Sequence, residues 1–294
     1  MKNKIITLST MIFVFLALTG IGQAQGLKLK FTGGYGTMKI GDYNTFGEGW
    51  DTFLKDILEI IETSIGLEGT KEGEFKKINW GFEYEGELIL SFKGGVGIGF
   101  GGGYIQRSKD CEMSIAHDLL GPIMSISINP NFTIIPVFLS VYFSPPSIAP
   151  VNFYLYGGTG YYFGKGKTAI KVDYGVLWEE YELDIKDQGL GFHGGVGLEF
   201  NVAPKIAFFI EGKGRYCKLK SWEGIITYEY SDGTTSEERN GTMWYYEILM
   251  DTILRNPMLE LSENQPSLTG IENVREFGVD LSGFSIRGGI RIKF

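Results

Sequence analysis

Charged side chains recur at every second position in several segments of this 294-residue chain, and each set is opposed by apolar residues at the alternate positions. In Trp80 to Leu90, Glu83, Glu85 and Glu87 oppose Trp80, Phe82, Tyr84, Leu88 and Leu90. In Phe284 to Phe294, Arg287, Arg291 and Lys293 oppose Phe284, Ile286, Ile290, Ile292 and Phe294. Glu211, Lys213 and Arg215 stand against Ile206, Phe208, Ile210 and Tyr216, and Lys28 and Lys30 against Leu27, Leu29, Phe31 and Tyr35. His193 and Glu199 alternate with Phe192, Val196, Leu198 and Phe200. Lys28, Lys30, Glu83, Glu85, Glu87, Glu199, Glu211, Lys213, Arg215, Arg287, Arg291 and Lys293 comprise five acids and seven bases. Confined inside a tube, charges in near balance can pair and plug it, or line a narrow ion path. Unpaired enclosed charge is costly, which favours the plug. The run Gly95, Gly97, Gly99, Gly101 and Gly103 would leave space along one wall, which keeps the path open as an alternative.

Other chemistry is thin. His117 lies near Cys111 and Asp118, but two ligands at loose spacing do not make a metal site. No Gly-x-Ser-x-Gly elbow, phosphate loop or zinc helix is present, and His193 has no evident serine partner. No catalytic, metal or cofactor residue is therefore predicted, and the chain is expected not to be an enzyme, the alternative kept being a lipid-modifying enzyme of the membrane. Cys111 and Cys217 could form a disulfide or remain free thiols; sequence leaves both open. Two segments carry apolar residues at helical spacing. One is Trp50 to Ile65, with Trp50, Phe53 and Ile57 on its apolar stripe; the other is Met243 to Leu254, with Trp244 and Ile248. The stripes are expected to pack as a cap. Otherwise they would form a partner-binding face or a hydrophobic ligand pocket.

Period-two alternation is the signature of strands. Besides the segments above, it runs through Val96 to Tyr104, Phe132 to Phe143, Val151 to Phe163 and Phe192 to Val202, giving eight strands. Pro136 is uncomfortable in its strand and is expected at a bulge. Short connections near Ser91 to Gly94, Ser144 to Pro150 and Asn201 to Lys205 alternate with long ones over about 41–75, 107–130, 165–188 and 219–276. The fold class predicted is all-β: a closed antiparallel up-and-down transmembrane barrel of eight strands, with short periplasmic turns, long extracellular loops containing short helical segments, and both termini periplasmic. An eight-stranded interior is just wide enough for side chains to fill. A soluble sandwich or lipocalin-like barrel would reverse the facing. Mixed-sign charge on the polar faces suits an enclosed lumen better.

Lys2 and Lys4, the apolar run Ile5 to Leu18 and Gly22-Gln23-Ala24 have the layout of a secretory leader, so the domains expected are a signal peptide over 1–24 and a barrel over 25–294. Without Lys2 and Lys4 the 27 basic residues fall to 25 against 35 acidic ones, a net of −10 that gives no electrostatic case for nucleic-acid binding. Glycine is 43 of 294, about twice the usual share of about 7%, as closely packed strands with tight turns would use it.

The tail Gly283-Phe-Ser-Ile-Arg-Gly-Gly-Ile-Arg-Ile-Lys-Phe294 resembles the terminal strand of outer-membrane barrels. Thr133 to Leu139, Pro145-Pro146 and Phe153 to Tyr162 are similar to the small OmpA-like and OmpW-like barrels of the outer membrane protein beta-barrel domain family. The resemblance implies the outer membrane of a Gram-negative-type bacterium, with outer-membrane lipid around a monomer. It implies that the barrel-assembly machinery reads Ile290, Ile292 and Phe294, and that a small hydrophobic ligand meets the loops; an extracellular partner there is the other expectation, from the apolar stripes alone. The chain departs from the OmpA pattern in stopping at strand eight, without a peptidoglycan-binding domain, which puts a cell-wall tether in doubt. A structural or surface-interaction barrel with a lumen closed by salt bridges is the expected role. The alternative is a narrow channel or transporter for small hydrophobic or ionic solutes.

Overall fold

The computed structural model describes residues 26–66, 68–145, 151–250 and 254–294. The leader expected over 1–24 and most of the 144–150 connection lie outside the described residues. In chain order the strands are β1 (Gly26–Thr37), β2 (Gly69–Glu72), β3 (Trp80–Ser91), β4 (Val96–Ser108), β5 (Cys111–His117), β6 (Gly121–Phe143), β7 (Val151–Asp173), β8 (Trp178–Ala203), β9 (Ile206–Tyr216), β10 (Lys218–Leu219), β11 (Glu223–Tyr230), β12 (Thr235–Met250), β13 (Leu254–Ser262), β14 (Ile271–Glu276), β15 (Val279–Asp280) and β16 (Gly283–Lys293). One α-helix, α1 (Gly41–Ile65), follows β1.

The predicted segments all lie in β1, β3, β4, β6, β7, β8, β9 and β16. These pair antiparallel in that order, and β16 returns to β1. The ring is not the whole fold. Among the described residues there are sixteen strands and one α-helix, so the plain eight-stranded plan needs correcting. The residues expected to be long loops are mostly strand. β6, β7 and β8 run for 23, 23 and 26 residues, about twice the 9–11 that cross a bilayer, because their ladders continue unbroken past the apolar belt. Met243 to Leu254, expected to be helical, is strand instead: its residues through Met250 belong to β12, which pairs with both β13 and β14. A short apolar run fits both periods, and its Trp, Tyr and Ile content favours the pleated surface once neighbouring strands exist to pair with.

Pro136 sits in unbroken register opposite Tyr162 of β7, without the expected bulge. On the β4 side the pairs lapse between Gly102↔Val137 and Ile105↔Ile134, where proline has no N–H to give.

Facing follows the pleat. Phe31, Tyr35, Trp80, Phe82, Tyr84, Phe100, Tyr104, Val137, Phe163, Phe192, Phe208, Phe284 and Ile286 are exposed around the outside of the ring, while the alternate positions are buried. A continuous exposed apolar and aromatic belt is a large liability in water and is what a strand-built span presents to lipid. Beyond the belt, the upper parts of β6, β7 and β8 join β2, β5 and β11 to β14 in a head. There the inward face turns aliphatic and aromatic: Ile126, Ile128, Phe132, Ile134, Ile170, Val172, Leu183 and Ile185 are buried with Trp222 and Phe277 in one core. α1 seals this core with Tyr43, Phe46, Trp50, Phe53, Leu54 and Leu58. It ends at Gly66, whose φ of 75° is the left-handed conformation that glycine adopts freely and whose N–H donates to Glu62 O at 2.8 Å. Asp42 anchors its first turn by accepting from Gly278 N–H and from Arg275 Nε, both at 2.8 Å.

Cys111 and Cys217 are free and buried in the head core. Burial raises the Cys111 thiol and pushes Cys217 up to about 11. Only the thiolate attacks a thiol reagent. At pH 8 roughly one Cys217 in a thousand is ionised, against about a quarter of an ordinary thiol of pKa about 8.5. Neither cysteine is expected to be titrated by an aromatic disulfide reagent at pH 8 in the folded protein, and both in denaturant. Rapid labelling of the folded chain would show that the head core is open.

Candidate functional site: the lumen charge network

Strands β1, β3, β8, β9 and β16 bring every predicted charge to the inner face of the ring. Ten of the twelve are fully buried, and Lys28 and Lys293 sit half-buried at the end of the lumen where β1 begins and β16 ends. The pairing register makes the network. Glu85 of β3 receives Lys213 Nζ at 2.7 Å and Arg287 Nη2 at 2.7 Å from β9 and β16. Glu211 receives Lys30 Nζ at 2.7 Å and Arg287 Nε at 3.3 Å, so Arg287 bridges the two carboxylates. Glu87 lies 3.8 Å from Lys30 and accepts a short hydrogen bond from Tyr142 Oη. At the open end, Glu199 holds both Arg291 and Lys293, the latter at 2.6 Å. Carboxylates alternating with cations along strands of opposite sign give each buried charge a partner, the condition under which enclosed charge persists.

Two parts of the network escape the sequence reading. Arg107, its side chain fully buried, caps the head end of the lumen: its Nη2 donates to Glu83 Oε1 at 3.0 Å and to Gly36 O at 3.1 Å, while Arg215 reaches the same carboxylate at 3.2 Å. The strand expected to end at Tyr104 runs on to Ser108. Continuing the alternation through Ile105 and Arg107 would have found it. The second part is a tyrosine layer. Tyr154 and Tyr156 of β7 donate to Glu211 at 2.7 and 3.1 Å, and the rings of Tyr142 and Tyr156 stack with centroids 5.1 Å apart. Lys30 Nζ lies 4.8 Å from the Tyr156 ring centroid, a cation–π contact out of bulk water.

The glycine wall of β4 is where a path would run. A Cβ on Gly99 would lie 2.1 Å from Glu87 Oε1 and 3.0 Å from the Tyr142 ring. On Gly101 it would meet Phe138 at 2.8 Å, and on Gly103 Glu85 Cγ at 2.7 Å. The space left by the missing side chains is thus taken by charged and aromatic side chains from neighbouring strands. Gly99→Val is expected to destabilise the barrel by about 1–3 kcal/mol through overpacking. Unfolding of the refolded variant in lipid vesicles against denaturant checks this.

His193 does have a serine neighbour: Ser140 Oγ lies 3.0 Å from its Nε2. Both are buried in the lumen, and His193 Nδ1 finds no hydrogen-bond partner among the described residues, so the pair lacks the orienting third group of a catalytic triad. Of the residues expected on a cap or partner face, Trp50 and Phe53 are buried at 5% exposure each and Ile57 packs against the same core. Trp244 and Ile248 are half-buried on β12, with Trp244 Nε1 donating to Ser262 O at 3.3 Å. The apolar pocket beside Phe46 and Trp50 holds only about 50 Å³, against about 300 Å³ or more for a typical ligand site. Ile290, Ile292 and Phe294 share the outer face of the chain's last segment.

A family described as "Outer membrane protein beta-barrel domain" matches residues 13–237. No curated protein matches the sequence. Solved structures similar to the chain include Neisserial surface protein A, with TM-score 0.38 and 10% identity over 91% of this chain and 97% of that one. Outer membrane protein OprG from Pseudomonas aeruginosa has TM-score 0.35 and 11% identity over 92% and 97%. A major outer membrane protein from Thermus thermophilus has TM-score 0.39 and 13% identity over 90% and 99%.

Proposed function

This chain belongs to the outer membrane protein beta-barrel domain family, and we propose that it serves in the outer membrane as a closed structural barrel that carries a β-rich head for surface interaction. The observation that carries the closed reading is the glycine wall of β4, whose free side is occupied by Glu85, Glu87, Phe138 and Tyr142. Two further features support it. Every buried lumen carboxylate is engaged by cations, and above the Glu83, Arg107 and Arg215 layer the lumen face continues into an apolar core sealed by α1. A hydrated ion crossing this barrel would have to break buried ion pairs and then pass through dry hydrocarbon.

Surface interaction is favoured by the far tip of the head. The turns after β5 and β7 leave Leu119 75% and Val176 90% exposed, beside Leu120 and Leu177, and exposed apolar tips of this kind mark contact sites. In this reading both chain ends and the short connections face the periplasm, the head faces outward, and the ring closed within one chain makes a monomer. Outer-membrane lipid covers the belt, and Ile290, Ile292 and Phe294 serve the barrel-assembly machinery. The chain has no enzymatic role here, and its lumen charges are structural. The second reading, a narrow channel for small hydrophobic or ionic solutes, would need the lumen pairs to part.

Single-channel recording of the refolded chain in planar bilayers tests the choice. Silence from a barrel shown to be folded by its heat-modifiable gel mobility is expected. Stable, reproducible openings would overturn the closed reading and make the lumen charges a conduction path.

A further inference from the structure

The end of the lumen away from the head is unlike the rest of it. A pocket of about 400 Å³ opens there, lined by Lys28, Arg291 and Lys293 together with Ser91, Ser144 and Tyr142. The register explains why cations collect: Lys28 lies directly opposite Lys293, and Lys30 directly opposite Arg291, so β1 and β16 set two like-charge pairs in succession on one inner face. Like charges directly opposite each other destabilise a sheet. Deeper in the lumen the excess is answered, since Glu211 and Glu87 flank Lys30. At the pocket, Glu199 serves both Arg291 and Lys293, and among the described residues Lys28 reaches no carboxylate within ion-pair distance. Arg291 is 3% exposed, and its Nε and Nη2 find no hydrogen-bond partner among the described residues.

We propose that this pocket is an oxyanion site that takes a phosphate group, held by Lys28, Lys293 and Arg291 with Ser91 and Ser144 as hydroxyl donors. Phosphate fits this donor set because its oxygens each accept several charge-assisted hydrogen bonds, and the two ammonium groups supply them beside the positive charge of Arg291, whose buried guanidinium packs over the Tyr154 ring at 4.5 Å. Glu199 remains the positioning partner of Arg291. The site does not depend on whether the lumen conducts, because it lies at the lumen end, beyond the layers around Glu85 and Glu211, where Glu199 alone among the described carboxylates answers Arg291 and Lys293. The same chemistry could arrive as free phosphate or as the headgroup of a phospholipid lying over the apolar rim formed by Leu27, Phe92 and Val96.

The test uses the full refolded chain in non-ionic maltoside micelles at constant ionic strength. Inorganic phosphate is one probe and phosphatidic acid mixed into the micelles the other, with binding read by calorimetry. Saturable binding of at least one probe, at one site per chain, is expected. Lys28→Gln with Lys293→Gln should weaken it about tenfold or more, the loss of one to two charge-assisted bonds. Lys165→Gln with Lys167→Gln, on the outer face of β7, should leave it unchanged. If inorganic phosphate saturates the site, free anion suffices; if phosphatidic acid alone does, the source is a lipid headgroup. Failure of both probes to saturate, or equal binding by the double variant, would overturn the proposal. Lys28 and Lys293 are half-buried at the lumen end, so the variants are expected to fold; should the double variant not fold, Lys28→Gln alone is measured against the same criterion of weakened binding.

Discussion

Glu85→Gln is expected to lower the stability of the barrel by about 3–5 kcal/mol, the penalty for removing one partner from a buried ion pair. Glu85 receives both oxygens' worth of contact from Lys213, at 2.7 and 2.9 Å, and a further hydrogen bond from Arg287 at 2.7 Å. The amide keeps the shape of the side chain and loses the charge, so two buried cations remain with one carboxylate, Glu211, in reach of Arg287 and none in reach of Lys213 among the described residues. Replacing Lys213 by Met in the same chain should recover part of the loss, because the uncompensated ammonium goes with it; the non-additivity of the two changes is the signature of a direct pair. Equilibrium unfolding in lipid vesicles gives the number. Bilayer recordings on the same variant separate the two readings of the lumen. A destabilised but silent barrel fits a plug, whereas unchanged stability with new or altered conductance would mean that Glu85 lines a path and that the ion pairs are incidental.

The distribution of these charges is legible without coordinates, for a physical reason. Side chains of a strand alternate with a period of two, so one correctly placed residue fixes the facing of the whole segment. Glu83, Glu85 and Glu87 could not be divided between two faces, and all twelve predicted lumen residues lie inside. Partners are not legible, because they depend on register between strands far apart in sequence. Nothing local tells Glu85 on β3 that it will meet Lys213 on β9, 128 residues away. The head is the larger miss. Its strands are built from the same alternation, but the connections read as loops because a spanning strand needs only about 9–11 residues, and the ladders of β6, β7 and β8 do not stop there. Arg107 is lost for the same reason. Trp50 and Phe53 are legible as an apolar stripe on a helix, and the structure buries that stripe in the head core.

Trp222→Ala should open the head without opening the ring. Trp222 is fully buried and sits edge-on to Phe132 at 6.1 Å and Phe277 at 6.3 Å between ring centroids, joining β6 to the segment that precedes β15. Its indole also lies against Gly164 of β7, where an added Cβ would come within 2.8 Å of the ring. Its Nε1 has no hydrogen-bond partner among the described residues, so truncation removes packing and leaves no polar group stranded. The cavity left by a buried tryptophan corresponds to about 3–5 kcal/mol. That loss should fall mainly on the head because Trp222 meets the ring strands only toward their head ends, at Phe132 and Gly164, and the lumen ion pairs lie below it. Regions of a protein open with separate free energies when their cores are separate, so the expected result is rapid proteolysis within residues 223–276 while the heat-modifiable gel mobility of the ring persists. If the ring lost its mobility together with the head, the two would form one cooperative unit, and α1 with its core would be required for the barrel itself.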